Sequence, residues 1–116
     1  SDLDLWSGKP PKQVFADLLE FVRRVHAHDS KIKIYYLAAK PSPKRMSKWK
    51  TYQICNHLIA NYCAKNKRLN FVDVSEVMLG KDGQPIPDIW LKDKLHMNGE
   101  GYARWTKLLS PLLTAK

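Results

Sequence analysis

The chain has 116 residues, one domain's worth, and its 44% apolar and 27% charged residues form a globular profile that argues against intrinsic disorder. No apolar run approaches the roughly 20 residues of a bilayer span, and the opening SDLDLWSGKPPK lacks the basic and apolar regions of a secretory signal. A formal charge of +9 admits attraction to phosphates or anionic surfaces, but most of the 20 Lys and Arg are scattered, as on solvated helix faces.

The chain opens on Ser1 rather than Met, as expected of a processed or excised piece, so its compartment is not legible. GKPPKQVFADLLEFVRRVHAHD then reads as a helix. Pro10 and Pro11 suit its first turn, where a missing N–H costs nothing, and Val14, Phe15, Leu18, Leu19, Val22 and Val25 recur at helical spacing. His26 and His28 fall in its last turn, where they suit exposed carbonyls better than catalysis. KIKIYYLAA is short, apolar and rich in β-branched and aromatic residues, which predicts a buried strand, and KPSPKR predicts a Pro-stiffened loop after it.

MSKWKTYQICNHLIANYCAKNK returns to helical periodicity, with Trp49, Ile54, Cys55, Leu58, Ile59 and Tyr62 as its apolar set and His57 as a surface residue. Around its start, Lys40, Lys44, Arg45, Lys48 and Lys50 interleave with Trp49 and Tyr52, a weak nucleic-acid signal without a recognised module. Cys55 and Cys63 lie eight residues apart on one helix. That is roughly 12 Å, beyond the Cα limit of about 7 Å for a disulfide, so both read as core-facing thiols. Without CxxC or zinc-type Cys/His spacing, no metal site is expected.

LNFVDVSEVM predicts a second strand ending near Asp73 to Ser75, GKDGQPIPD a turn and extended crossing, and NGEGYARWTKLLSPLLTAK a last helix. Its stripe is Tyr102, Trp105, Leu108, Leu109 and Leu112, with Pro111 expected to end or kink it. Helices alternating with strands imply an α/β architecture on a parallel sheet, but two strands make a poor sheet. Residues 1–116 therefore read as one domain that forms the second half of a larger layered unit. An uncovered sheet edge implies an additional segment, a partner chain or a homo-oligomer.

The chemistry concentrates in LKDKLHMNGEGYARW. Asp93 and His96 stand three residues apart after an extended segment and before a helix, where α/β proteins carry functional loops. At that spacing a carboxylate reaches a ring nitrogen, fixes the tautomer and leaves the far nitrogen free as a base. Asn98 or Gly99 is placed to cap the helix, and Gly101 to let its first turn approach neighbouring backbone. Taken alone, D-x-x-H is weak evidence and reads first as an Asp–His pair that merely organises a loop.

The wider pattern, DKLHMNGEGYARW, closely resembles the last block of the SGNH or GDSL hydrolases. The resemblance extends over nearly the whole chain in order, from the helix at GKPPKQVFADLLEFVRRV through KIKIYYLAAKPSPKR to LNFVDVSEVMLGKDGQPIPDIWLKDKLH. It implies a partial three-layer α/β/α, flavodoxin-like fold with parallel strands, the N-terminal strands and nucleophile block missing. It also implies a serine esterase or acylhydrolase that cleaves carboxylic esters through a Ser–His–Asp triad without metal or cofactor, Asp93 and His96 taking the last two roles. The departures are as specific. No G-D-S occurs. SDLDL fits the end of the family's G-x-N-D block either with Ser1 at its Gly and Leu3 at its Asn, or in a register that puts the Asn upstream of residue 1. No residue here is therefore assigned as the oxyanion Asn. None of Ser1, Ser7, Ser30, Ser42, Ser47, Ser75 and Ser110 lies on a Gly-flanked strand-to-helix turn.

The expected partners are thus a small-molecule ester and a missing N-terminal segment or second chain that carries the nucleophilic serine. This chain alone is expected to be inactive. The alternatives are a non-catalytic hydrolase-like binding or assembly module and, less favoured, a basic nucleic-acid module.

Overall fold

The computed structural model describes residues 2–114. Its elements are α1 (Asp2–Trp6), α2 (Pro11–His28), β1 (Ile34–Leu37), α3 (Trp49–Ala64), β2 (Leu69–Val72) and α4 (Gly99–Thr114). Segments of 3-10 helix occupy Pro43–Lys48 (kinked at Arg45), Val74–Val77 and Pro87–Ile89. β1 and β2 pair in parallel, Ile34 opposite Leu69 through Leu37 opposite Val72, so the chain must cross over between them, and α3 is that crossover.

The period-2 alternation of β1 divides the core. Ile34 and Tyr36 join a cluster of Leu5, Val14, Val22, Tyr52, Cys55, Ile59 and Leu69 beneath α1, α2 and α3. Tyr35 and Leu37 join an opposite cluster of Val74, Met78, Ile89, Trp90 and Met97, closed by Trp105, Leu108 and Leu109 of α4. Helices on both faces of a parallel pair make three layers, the expected α/β architecture. Residues such as Ile59 and Met78, with no exposed surface, each contribute about 1.5–3 kcal/mol of burial.

Several expectations need correction. β1 is half-buried along its length rather than buried, because it has one neighbouring strand among the described residues. On α3, Ile54 is 53% exposed, and the inward face is Tyr52, Cys55, Ile59 and Cys63. Both thiols are buried and unbridged. On α4, Tyr102 and Leu112 of the predicted stripe are exposed. α4 also runs past Pro111 to Thr114. A proline in the last turn forfeits one backbone bond, too little to end the helix there. His26 Nε2 lies 2.9 Å from the carbonyl of Ile32, so it holds the loop beyond α2 rather than the helix end.

The residues of SDLDL from Asp2 on open a helix, clamped by the loop after β1. Arg45 pairs with Asp2 at 3.2 Å and lies over the Trp6 ring, and Lys48 Nζ donates to the carbonyls of Leu5 and Trp6. Arg45 and Lys48 of the basic cluster therefore do structural work within the chain.

Candidate active site

The loop that bears Asp93 and His96 is anchored in the core at both ends. Ile89, Trp90 and Met97 are buried, and Trp90 and Met97 face each other in an antiparallel bridge. Inside that bridge the Leu91 N–H donates to the His96 carbonyl (2.8 Å), and the Lys94 N–H to the Leu91 carbonyl (3.0 Å). Reversing the chain in so few residues requires a left-handed step, which Lys94 takes at φ 59°. Elsewhere in the described chain, positive φ falls on Gly8 and Gly83. A lysine there is conformationally costly, and the surrounding hydrogen bonds hold it.

Asp93 does two jobs. Its Oδ1 accepts the backbone N–H groups of Leu95 (2.9 Å) and His96 (3.0 Å), an Asx turn that closes the loop. Its Oδ2 lies 2.6 Å from His96 Nδ1. The His96 ring first, then the two backbone donors, hold the Asp93 carboxyl well below the usual carboxylate range. It is therefore an acceptor at neutral pH, so in the neutral imidazole Nδ1 carries the proton and Nε2 presents its lone pair. The His96 side chain is 61% exposed, so that nitrogen is open to an incoming group.

The supports reach into three other elements. Asn98 caps α4: its Oδ1 accepts the Gly101 N–H (3.1 Å), while its Nδ2 donates to the Asp88 carbonyl (2.8 Å). A Cβ on Gly101 would lie 2.7 Å from the Ile89 carbonyl oxygen and 2.8 Å from Met97 Cβ, so only glycine lets the helix start this close. The Lys44 N–H donates to the Lys94 carbonyl (3.0 Å), tying the loop after β1 to the Asp93–His96 turn. Asn56 of α3 brackets Ala39, at the exit of β1, accepting its N–H (2.9 Å) and donating to its carbonyl (3.2 Å). Sequence reasoning missed Lys44 and Asn56. Lys44 acts through its backbone, which leaves no side-chain signature. For Asn56 the signal was a poor helix former in mid-helix, beside the buried Cys55.

The structure unites Asp93 and His96, but no hydroxyl stands at His96 Nε2 among the described residues. Ser42 is fully buried, its Oγ without a partner. Ser75 bonds Asp73 through both its N–H and its Oγ. Ser1 lies outside the described residues, and Leu3, 65% exposed, has no polar side-chain group. A recess of about 340 Å³ lined by Gln53, Asn56, His57, Asp73 and Ser75 does not include His96. One of about 650 Å³ lies against α4, lined by Glu76, Glu100 and Arg104. Short, well-formed hydrogen bonds are stronger evidence of a site than concavity, since His96 stands on open surface with its partner already in place.

A model of the GDSL-like lipase/acylhydrolase family matches residues 3–104. Among solved structures, the chain is similar to one from Streptococcus pneumonia described as a platelet activating factor, at 19% identity and a TM-score of 0.84. The match covers 97% of this chain and 56% of that one, a likeness of fold in which this chain spans little more than half the relative's length. No curated protein matches the chain.

Proposed function

The chain belongs to the GDSL-like lipase/acylhydrolase family, and from that premise we propose that residues 1–116 form the C-terminal part of a single SGNH-type domain that hydrolyses carboxylic esters. The supporting observation is the 2.6 Å contact from His96 Nδ1 to Asp93 Oδ2, which in the neutral ring leaves Nε2 as the accessible acceptor. A serine on polypeptide outside these residues, from a preceding segment or a second chain, is the nucleophile. Its Oγ attacks the ester carbonyl carbon as its proton passes to His96 Nε2. Collapse of the tetrahedral intermediate breaks the bond to the alcohol, which takes that proton from Nε2. Water then attacks the acyl-enzyme by the same route, releasing the acid and restoring the serine. Asp93 keeps its charge throughout and stabilises the imidazolium.

The test uses the protein in which this chain is joined to its serine-bearing part. His96→Ala there lowers kcat by about 10³-fold or more, and a loss below about tenfold overturns the role. The 116-residue chain by itself is expected to leave p-nitrophenyl acetate intact.

A second reading has one observation in its favour. The two backbone bonds to Asp93 Oδ1 would brace this loop in a non-catalytic binding or assembly module just as well. An encoded polypeptide that begins at residue 1, with no partner supplying a serine, selects it.

A further inference from the structure

The lysines at the His96 turn enter no ion pair among the described residues. Lys92 and Lys94 flank Asp93, and the Lys44–Lys94 backbone bond brings a third lysine to the same turn. All three are exposed. Between Asp88 and Glu100 the sole acidic residue is Asp93, already engaged by the ring and two N–H groups, while Glu100 pairs with Arg104 at 3.4 Å. On the side of the β1 loop, residues 30–72 contain no Asp or Glu at all. Lys94 adds a separate argument. A left-handed turn position favours Gly or Asn, so a lysine there keeps a charged side chain at a conformational cost.

We propose that Lys44, Lys92 and Lys94 form a cationic rim that selects esters whose leaving alcohol carries an anionic group, carboxylate or phosphate. This deepens the ester-hydrolase reading and rests on it for the word ester. The chemistry assigns the side of the substrate. His96 must return its proton to the departing alcohol oxygen at about 2.6–3.2 Å, so lysines on its own turn flank the leaving group rather than the acyl chain. Ammonium groups on flexible four-carbon stems fit a charge whose position varies, and one end of the substrate is held before the chemistry begins.

The binding half is tested on the joined protein. At ~0.01 M ionic strength, where the screening length is about 30 Å, inorganic phosphate is titrated against sodium chloride of matched ionic strength and followed by amide NMR. The rim predicts saturable shifts centred on residues 44 and 91–96. Lys44→Gln/Lys92→Gln/Lys94→Gln abolishes them, although glutamine retains the Lys44 N–H. Lys12→Gln/Lys31→Gln/Lys65→Gln, which removes the same charge from other elements, leaves them in place. Shifts spread over the whole basic surface, or equal loss in both triple variants, overturn the rim. In the joined protein, the kcat/KM preference for an acetate ester of a phosphorylated alcohol over its neutral counterpart falls about tenfold or more in the first variant and holds in the second. A preference unchanged in the first variant also overturns it. Vesicles containing phosphatidylserine that compete with phosphate for the same shifts assign the charge to a lipid headgroup, and absence of competition assigns it to a soluble ester. If neither ester is hydrolysed while phosphate still titrates the turn, the ester reading fails and the anion site stands.

Discussion

The Lys44 N–H donates to the carbonyl of Lys94 at 3.0 Å, so the turn that pairs Asp93 with His96 is held by the loop leaving β1 as well as by its own chain. The bond demands that Lys94 keep its left-handed backbone at φ 59°, which makes that position a test of the arrangement. Lys94→Ile, β-branched at positive φ, is expected to be about 1–2 kcal/mol less stable in urea than Lys94→Gly. Equal stabilities would mean that the turn relaxes without the left-handed step.

Asp93 braces the loop through Oδ1 and orients the ring through Oδ2, and one pair of variants separates the two tasks. Asparagine retains an oxygen for the Leu95 and His96 amides but turns a donor toward Nδ1, which forces the opposite tautomer. Asp93→Asn therefore keeps both amides protected from hydrogen exchange in this chain while lowering kcat of the joined protein by about 10³–10⁴. Asp93→Ala loses both. Near-normal turnover in Asp93→Asn would leave only the brace.

Acid sensitivity has a definite sign. The folded Asp93 carboxyl lies below its ordinary value, as does that of Glu20, drawn down to about 2 by hydrogen bonds from Arg23 and then Arg24. Groups depressed on folding stabilise fully above their unfolded pKa, about 4, and that contribution is lost as pH falls through the folded value. A thermal melt series from pH 5 to about pH 2 is expected to show a shallower fall in Tm for Asp93→Asn/Glu20→Gln than for the native chain. Parallel curves would remove these pairs from the acid limb.

Gly101 is expected to tolerate no side chain. Alanine brings Cβ to 2.7 Å from the Ile89 carbonyl, which cannot move without dragging the buried segment that anchors the site loop. Gly101→Ala costs about 1–3 kcal/mol by urea denaturation and shifts the Met97 and His96 amide resonances. Gly99, whose Cβ would meet open space, is the control.

Much of the fold was legible because it follows from local periodicity. The Val14–Val25 stripe, KIKIYYLAA and LNFVDVSEVM each announced their element, although the strands stop at Leu37 and Val72, short of the expected ends at Ala39 and near Asp73 to Ser75. What went astray depended on neighbours. Ile54 and Tyr102 look inward by spacing yet face solvent, since a helix buries only the arc that meets another element. The half-burial of β1 follows from its having a single strand beside it. Pro111 misled because a helix's last turn tolerates a lost bond that its middle would not.

The residue order of DKLHMNGEGYARW by itself determined the Asp93–His96 pair, because partners three residues apart in a tight turn meet with little help from the rest of the chain. The tertiary structure alone decided that the Lys44 backbone supports the turn, that Asn56 holds Ala39 at the exit of β1, and that Arg45 and Lys48 are spent on α1. Contacts between residues tens of positions apart depend on how the layers stack, and backbone-mediated ones leave no mark in the side chains.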